Sequence, residues 1–217
     1  MQLIRNLFML GGAGNSCNTY LIDGKILVDP GLPAYFPLVI EGISSLGFNP
    51  KDIEIIINTH RHFDHIGANK LFRDRCKAQV WVHEEEVDGV QEGKYTYDHL
   101  FNHSYLPVTV NKVLKEGDLI ETPSFYFRVL HTPGHTKGSI CLYEEEKGIL
   151  ISGDTLFANG VGRADLKTGS LVKLVKSLKR LGNLRIKYLL PGHGMFRIGE
   201  MGIKRAISNQ IKKLENR

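Results

Sequence analysis

The sequence predicts a fold that mixes short β-strands with helices and repeats one pattern in its two halves. Short apolar runs bounded by Gly, Pro, Asn or Asp indicate strands. Residues 170–181 carry leucine and valine at helical spacing, which indicates an amphipathic helix. The apolar runs before His60 and His193 both end in a histidine, which favours a two-half architecture with both histidines at one sheet edge.

In the first half, strand-like runs alternate with one helical stretch. We expect strands over residues 3–10, 18–23 and 25–28, with a hairpin turn at Asp23-Gly24. Apolar positions within Pro33–Leu46 predict a helix. The elements that follow are a buried strand, a helix and a strand, over residues 53–58, 66–75 and 79–83.

In the second half, the pattern predicts a meander of strands before the helices begin. The strands are expected over residues 111–115, 118–121, 125–131, 138–144 and 148–152. The helix over 170–181 follows, then a last strand over 186–190 and a closing helix over 200–215.

Composition is that of an ordinary globular chain, with 42% hydrophobic and 24% charged residues in 217. We therefore expect one domain over residues 1–217, or two half-domains that share a core. The net charge of +5 is spread along the chain and does not mark a nucleic-acid groove, so no nucleic-acid partner is expected. The oligomeric state is left open.

Features that bear on location point to the cytoplasm. The three cysteines include no Cys-x-x-Cys pair, which fits a reducing compartment. Arg5 interrupts the short apolar N-terminal stretch, so we interpret it as a strand and not as a signal peptide. Apolar runs stay well below the 18 residues of a membrane span, and we expect no membrane partner.

A cluster of metal-binding side chains follows the strand over 53–58. Within six positions stand three histidines and one aspartate: His60, His62, Asp64 and His65. Imidazole and carboxylate are the nitrogen and oxygen ligands that Zn²⁺ and Fe²⁺ accept. Because a turn after a strand lets side chains converge, His60 and His62 can share one metal. Asp64 and His65 can then reach a second metal beside it.

Three further candidate ligands stand in similar settings. His135, Asp154 and His193 each follow a glycine, and each lies after an apolar strand-like run. Glycine permits the sharp turn and the close backbone approach that a crowded metal site requires. Four strand ends that carry His or Asp predict one site at the edge of a sheet.

These motifs resemble those of the metallo-β-lactamase-fold hydrolases. Asp29 in Val28-Asp29-Pro30-Gly31 and the seven candidate ligands occur in the order of that superfamily, over almost the whole chain. The stretches SGDTLF at 152–157 and GVGRADL at 160–166 are similar to the glyoxalase II branch, the hydroxyacyl-glutathione hydrolases. The resemblance implies an α+β fold, a four-layer αββα sandwich of two mixed β-sheets with helices outside.

The resemblance also implies a centre that holds two divalent metals, zinc first and iron or manganese as alternatives. One metal would be bound by His60, His62 and His135, and the other by Asp64, His65 and His193, with Asp154 as the bridge. With zinc, nitrogen ligands lie at about 2.0–2.1 Å and the metals roughly 3.5–4 Å apart. Asp29 and Thr59 are expected to hydrogen-bond the metal-binding side chains.

The chemistry implied is hydrolysis by a hydroxide that bridges the two metals. Asp64 is the expected catalytic residue, because its carboxylate can orient the hydroxide and shuttle its proton. A small acyl thioester, hydroxyacyl-glutathione or a similar compound, suits the site because a thiolate leaves without a strong acid. Arg163 could bind a substrate carboxylate, and an ion pair with Asp165 is an equally good interpretation.

Other functions remain open at this point. Persulfide dioxygenases share this fold and most of these motifs but use one iron, and lactonases or phosphodiesterases are alternatives of the same fold. A metal-binding protein without activity is disfavoured by the complete ligand set. About 24 residues follow His193, fewer than the extra C-terminal helical domain of longer glyoxalase II enzymes needs. That leaves the use of glutathione in doubt.

Residues 84–111 interrupt the strand pattern and are rich in aromatic side chains. We interpret the segment as a flap over the site, and plain packing on the surface is an equal alternative. His99 and His103 are four apart, so a helix would place them on one face as a third metal site.

Overall fold

The computed structural model describes residues 1–12 and 14–216. The chain divides into two compact units, of which the first comprises Met1–Leu114 with Thr122–Ser124. The second unit comprises Lys115–Glu121 with the residues from Phe125 onward. The expectation of a single domain over 1–217 stays a prediction, and it includes Ala13 and Arg217, which lie outside the described residues.

The first unit is built on a seven-stranded sheet in sequence order. Its strands are β1 Gln2–Ile4, β2 Leu7–Gly11, β3 Asn18–Ile22, β4 Ile26–Val28, β5 Ile55–Asn58, β6 Gln79–His83 and β7 Lys112–Leu114. Neighbours from β1 to β4 are antiparallel, and those from β4 to β7 are parallel. Parallel neighbours need long crossovers. These contain the helices α1 Phe36–Ser45, α2 Phe63–Ile66, α3 Asn69–Cys76 and α4 Val87–Glu92.

The second unit is built on a six-stranded sheet in the order β13-β12-β11-β10-β9-β8. Its strands are β8 Leu119–Glu121, β9 Tyr126–His131, β10 Ile140–Glu144, β11 Ile149–Gly153, β12 Tyr188–Pro191 and β13 Arg197–Ile198. All neighbours are antiparallel except β11 and β12. The crossover between those two contains α5 Leu171–Leu181, and α6 Glu200–Glu215 follows β13.

Each unit has its own apolar core. In the first, side chains such as Leu27, Ile56 and Phe72 are fully buried. In the second, Leu174 and Leu178 of α5 pack in one cluster with strand and α6 side chains, among them Leu150, Leu189 and Ile203. Burial of one such side chain contributes about 1.5–3 kcal/mol. These cores hold the strand ends from which the site residues project.

Several predicted boundaries were wrong. The strand expected over 3–10 is split at Asn6, whose φ of 66° turns the chain between β1 and β2. The run at 111–115 does not join a meander, because β7 pairs parallel with β6. The helix expected over 66–75 begins later, as α3, because Gly67 and Ala68 separate it from the short α2. A strand, β13, follows the one predicted to be last.

The segment between β6 and β7 is irregular. It contains α4 and a 3-10 turn over Asp98–Phe101 that ends at Asn102, whose φ is 55°. His99 and His103 therefore do not share a helix face, and the geometric basis of the third metal site was wrong. No helix within residues 1–12 and 14–216 combines the length and the apolar character needed to cross a membrane.

Candidate metal-binding site

In the first unit, the candidate ligands lie on one short loop, which we call the ligand loop (residues 59–65). It begins where β5 ends and runs into the single turn of α2. The ring centroids of His60 and His65 are 4.1 Å apart, and those of His60 and His62 are 4.8 Å apart. A carboxylate oxygen of Asp64 lies 3.8 Å from Nε2 of His65. The structure thus brings these four predicted ligands together.

Asp29 supports the ligand loop from the end of β4. Its carboxylate accepts hydrogen bonds from the backbone N–H of Thr59 at 2.8 Å and from the Thr59 hydroxyl at 2.6 Å. It also contacts Nδ1 of His65 at 2.8 Å. A carboxylate can only accept, so Nδ1 of His65 carries the proton and Nε2 is its candidate ligand atom. The buried Asp29 has a φ of 53°, a conformation that aspartate tolerates better than most residues.

Thr59 orients the ring of His60 in the same way. Because its hydroxyl donates to Asp29, the hydroxyl oxygen acts as acceptor toward Nδ1 of His60 at 3.1 Å. Nε2 of His60 is then the candidate ligand atom, as it is in His65. Asp29 and Thr59 therefore hydrogen-bond two candidate ligand histidines, and their support of a bound metal stays a prediction.

In the second unit, three candidate ligands come from three different strand ends. His135 follows β9, Asp154 follows β11 and His193 follows β12. Oδ2 of Asp154 lies 3.6 Å from Nε2 of His135 and 3.7 Å from Nε2 of His193. One carboxylate oxygen between two ring nitrogens is the arrangement expected of a bridging ligand.

The tautomer of His135 is set by the backbone of the GVGRADL stretch. Nδ1 of His135 donates to the carbonyl oxygen of Arg163 at 2.7 Å. A carbonyl only accepts, so Nε2 is again the candidate ligand atom. Sequence reasoning missed this contact, because it considered the side chain of Arg163 and not its carbonyl.

Gly162 allows that contact to form. A Cβ at this position would lie 2.1 Å from the carbonyl oxygen of Asp154 and 2.7 Å from Nδ1 of His135. The N–H of Gly162 donates to the same Asp154 oxygen at 2.9 Å. The chain passes so close to two candidate ligands that only glycine fits.

The side chain of Arg163 pairs with Asp165. Nε and Nη2 donate to the two carboxylate oxygens at 2.9 and 2.7 Å, and both side chains are more than half exposed. The hydrogen bond from Arg163 lowers the pKa of Asp165 to about 2. The structure therefore displays the ion pair, and the role of Arg163 toward a substrate stays a prediction.

Cys17 lies near Asp29 and is buried. Its thiol is 3.5 Å from the Asp29 carbonyl oxygen. Burial raises the pKa of this thiol to about 12, so it is protonated near neutral pH. A protonated thiol is a poor nucleophile and a poor metal ligand.

Donor chemistry in both units fits a metal. His60, His62, Asp64 and His65 in the first unit, and His135, Asp154 and His193 in the second, belong to groups that could hold a metal ion. Imidazole nitrogen with carboxylate oxygen suits zinc, iron and manganese. The hydrogen bonds to Nδ1 of His60, His65 and His135 make Nε2 of each ring the atom that could bind a metal.

Comparison with known families agrees with this chemistry. Residues 12–193 match the family described as the Metallo-beta-lactamase superfamily. A probable metallo-hydrolase from Methanocaldococcus jannaschii is 40% identical over 93% of this chain and 97% of its own length. The hydroxyacylglutathione hydrolase GloC of Haemophilus influenzae is 30% identical over 83% and 86%. The acyl-coenzyme A thioesterase MBLAC2 of Gallus gallus is 30% identical over 93% and 80%.

Solved structures share the fold over most of the chain. The B3 metallo-β-lactamase BLEG-1 superposes with a TM-score of 0.81, at 25% identity, over 96% of this chain and 99% of its own. A protein solved in a di-iron-bound form gives a TM-score of 0.73, at 30% identity, over 88% and 93%. The predicted fold class, an α+β αββα sandwich with two mixed sheets, is confirmed.

Proposed function

Because the chain belongs to the metallo-β-lactamase superfamily, we propose that it is a metal-dependent hydrolase of small acyl thioesters. Hydroxyacyl-glutathione, or the thioester of another thiol cofactor, is the substrate class. The observation that carries the metal dependence is the position of one Asp154 oxygen between ring nitrogens of His135 and His193. The thioester preference is supported by two relatives whose names denote a hydroxyacylglutathione hydrolase and an acyl-coenzyme A thioesterase.

We assign two divalent metals to the seven donors, with zinc as the first choice and iron or manganese as alternatives. One metal is assigned to His60, His62 and His135, the other to Asp64, His65 and His193, and Asp154 to both. A relative solved in a di-iron-bound form supports the count of two. A single domain over residues 1–217 is also part of this proposal.

When bound, two dications make a water acidic enough to serve as a nucleophile near neutral pH, and they polarise the substrate carbonyl. Asp64 orients the attacking water and accepts its proton. Its position suits this role, because its side chain is 16% exposed, at the start of α2, whereas that of His65 is fully buried. The thiol of the substrate leaves as a thiolate, so no strong general acid is required.

Arg163 is proposed to bind a carboxylate of the substrate. Its guanidinium already holds the carboxylate of Asp165 through two hydrogen bonds. Exchange of that partner for a substrate carboxylate is feasible because both side chains are exposed. We further propose that the protein acts in the cytoplasm, which the three free cysteines support.

The test is element analysis of the purified protein followed by a substrate panel. The panel contains a glutathione thioester, a coenzyme A thioester, a lactone and a phosphodiester, with a persulfide and oxygen as a further reaction. We expect up to two metals per chain, thioester turnover, and loss of both after treatment with a chelator. Turnover of the lactone or phosphodiester without thioester turnover would overturn the substrate class. One iron per chain with oxygen uptake would indicate the dioxygenase instead.

A further inference from the structure

Arg61 is buried inside the ligand loop. It stands between His60 and His62, yet its side chain is 0% exposed. Arginine is almost never fully buried unless other groups compensate its charge. A cation so close to two proposed metal ligands therefore needs a dedicated set of partners.

Those partners come from the segment that follows β6. Nε of Arg61 donates to Glu86 at 2.6 Å, and the side chain of Glu86 is also 0% exposed. Nη2 contacts the Asp88 carboxylate at 2.7 Å and donates to the Glu85 carbonyl. Nη1 donates to the Lys94 carbonyl at 3.2 Å. Such a fork of contacts fixes the guanidinium in position and in orientation.

Gly89 in α4 leaves room for the arginine. A Cβ there would lie 2.6 Å from Cβ and 2.9 Å from Cδ of Arg61. Glycine weakens a helix interior relative to alanine. Its presence in α4 is explained by the stem of Arg61, which occupies the space that a side chain would need.

The two residues after Arg61 contact the same part of the chain. The N–H of Phe63 donates to the Thr96 carbonyl at 2.8 Å. The ring of His62 packs edge-on against Tyr97, with centroids 5.4 Å apart. Arg61, His62 and Phe63 of the ligand loop thus all contact residues 85–97, which we call the clasp segment.

We propose that Arg61 is a positioning residue that sets the spacing of His60 and His62 for metal binding by holding the ligand loop against the clasp segment. The inference rests on the proposed metal-dependent function. Its mechanism is geometric. Neighbouring residues share a short backbone, so a shift of Arg61 moves the two flanking imidazoles with it. A lysine would keep the charge, but its ammonium group lacks the planar, fixed arrangement of N–H donors that the guanidinium has.

The test separates positioning from charge compensation. Arg61→Met with Glu86→Gln removes the buried cation together with the buried anion that faces it. Asp88 and the Glu85 and Lys94 carbonyls lose a donor, so the metal-free protein is expected to fold but to melt below the wild-type temperature. Metal affinity, measured by competition with a chelator, should fall about 10–100-fold, the usual cost of losing a group that orients ligands. The absorption spectrum of the cobalt-loaded protein should shift, because it reports ligand geometry.

Arg180→Met is the matched control. Arg180 also contacts a carboxylate and a carbonyl, those of Glu116 and His131, but it is exposed. We expect unchanged metal affinity and an unchanged cobalt spectrum. The metal affinity of Arg61→Lys should lie between that of the wild type and that of the double variant.

A double variant with wild-type metal affinity and spectrum would overturn the inference, since Arg61 would then only compensate Glu86. Should the double variant fail to fold, Gly89→Ala provides a second test. This substitution keeps every charge, but the added methyl group must displace the side chain of Arg61. An unchanged cobalt spectrum of Gly89→Ala would also overturn the inference. If the wild-type protein binds metal but does not hydrolyse thioesters, the proposed substrate class is wrong and the role of Arg61 is unaffected.

Discussion

The two groups of candidate ligands are assembled in different ways. In the first unit, four candidate ligands lie within residues 60–65. Asp29 and Thr59 hydrogen-bond their loop, and Arg61 is proposed to position it. In the second unit, three ligands come from the ends of β9, β11 and β12. There the backbone does the orienting, through the Arg163 carbonyl and the closely packed Gly162.

This difference predicts two kinds of mutational behaviour. Where side chains orient the ligands, a substitution can weaken metal binding or turnover while the fold survives. Where tightly packed backbone orients them, a substitution should lower stability and metal binding together. The four predictions that follow test this contrast.

Asp64→Asn should have the largest effect on turnover. The amide keeps the size of the side chain but removes the charge and the basic oxygen, so turnover should fall by roughly 10²–10⁴-fold. The measurement is turnover at saturating metal, beside a melting curve that should stay close to wild type. Asp74→Asn, at an exposed carboxylate paired with Lys70, is the control and should keep full activity. Normal turnover in Asp64→Asn would remove this residue from the mechanism.

Asp29→Asn should weaken metal binding about 10–100-fold, because a neutral amide orients His65 less firmly than a carboxylate. Asparagine tolerates the positive φ of this position, so backbone strain should not change. Asp23→Asn is a close control, since Asp23 has a φ of 50° and accepts two hydrogen bonds from Ser124. Chelator competition is the measurement. Equal losses of affinity in both variants would contradict the role given to Asp29.

Gly162→Ala should lower stability by about 1–3 kcal/mol, the usual cost of overpacking. The added methyl must displace His135 or Asp154, so metal affinity should fall in parallel. Gly160→Ala is the control, since a Cβ there would make only an ordinary contact, 3.7 Å from Phe157. Denaturant melts and metal titrations report the two quantities. A stable Gly162→Ala protein with normal metal affinity would break the contrast between the units.

Arg163→Ala should have the smallest effect. Because the pair with Asp165 is exposed, the melting temperature should hardly change. If the guanidinium binds a substrate carboxylate, KM should rise by up to about fivefold, as for an exposed ion pair, while kcat is kept. Asp165→Ala leaves the guanidinium in place and should not raise KM. A rise of KM in both variants would point to the loop conformation and away from direct binding.

Features encoded by neighbouring residues were predicted well. The strand over 79–83 and the helix over 200–215 match β6 and α6 at both ends. The ligand loop was also recognisable, since its four ligands are close in sequence and converge through one turn. In such cases the periodicity or the spacing alone carries the information.

Features that depend on distant partners were not predicted. The turn at Asn6 is held by hydrogen bonds to Asp23 and Ser124, which lie far along the chain. The pairing of β7 with β6 depends on register between strands separated by an irregular segment. No role was predicted for Arg61, because its partner Glu86 lies outside the motif. The Arg163 carbonyl was missed because backbone atoms are the same at every position.

The parallel pairing of β12 with β11 has a consequence for the order of folding. Strands β9, β10 and β11 are antiparallel neighbours along the chain and can form through short loops. The β12 strand can pair with β11 only after the crossover through α5 has closed, a non-local step that is slower. We therefore expect His135 and Asp154 to be in place early in refolding, and His193 to join them in its last phase.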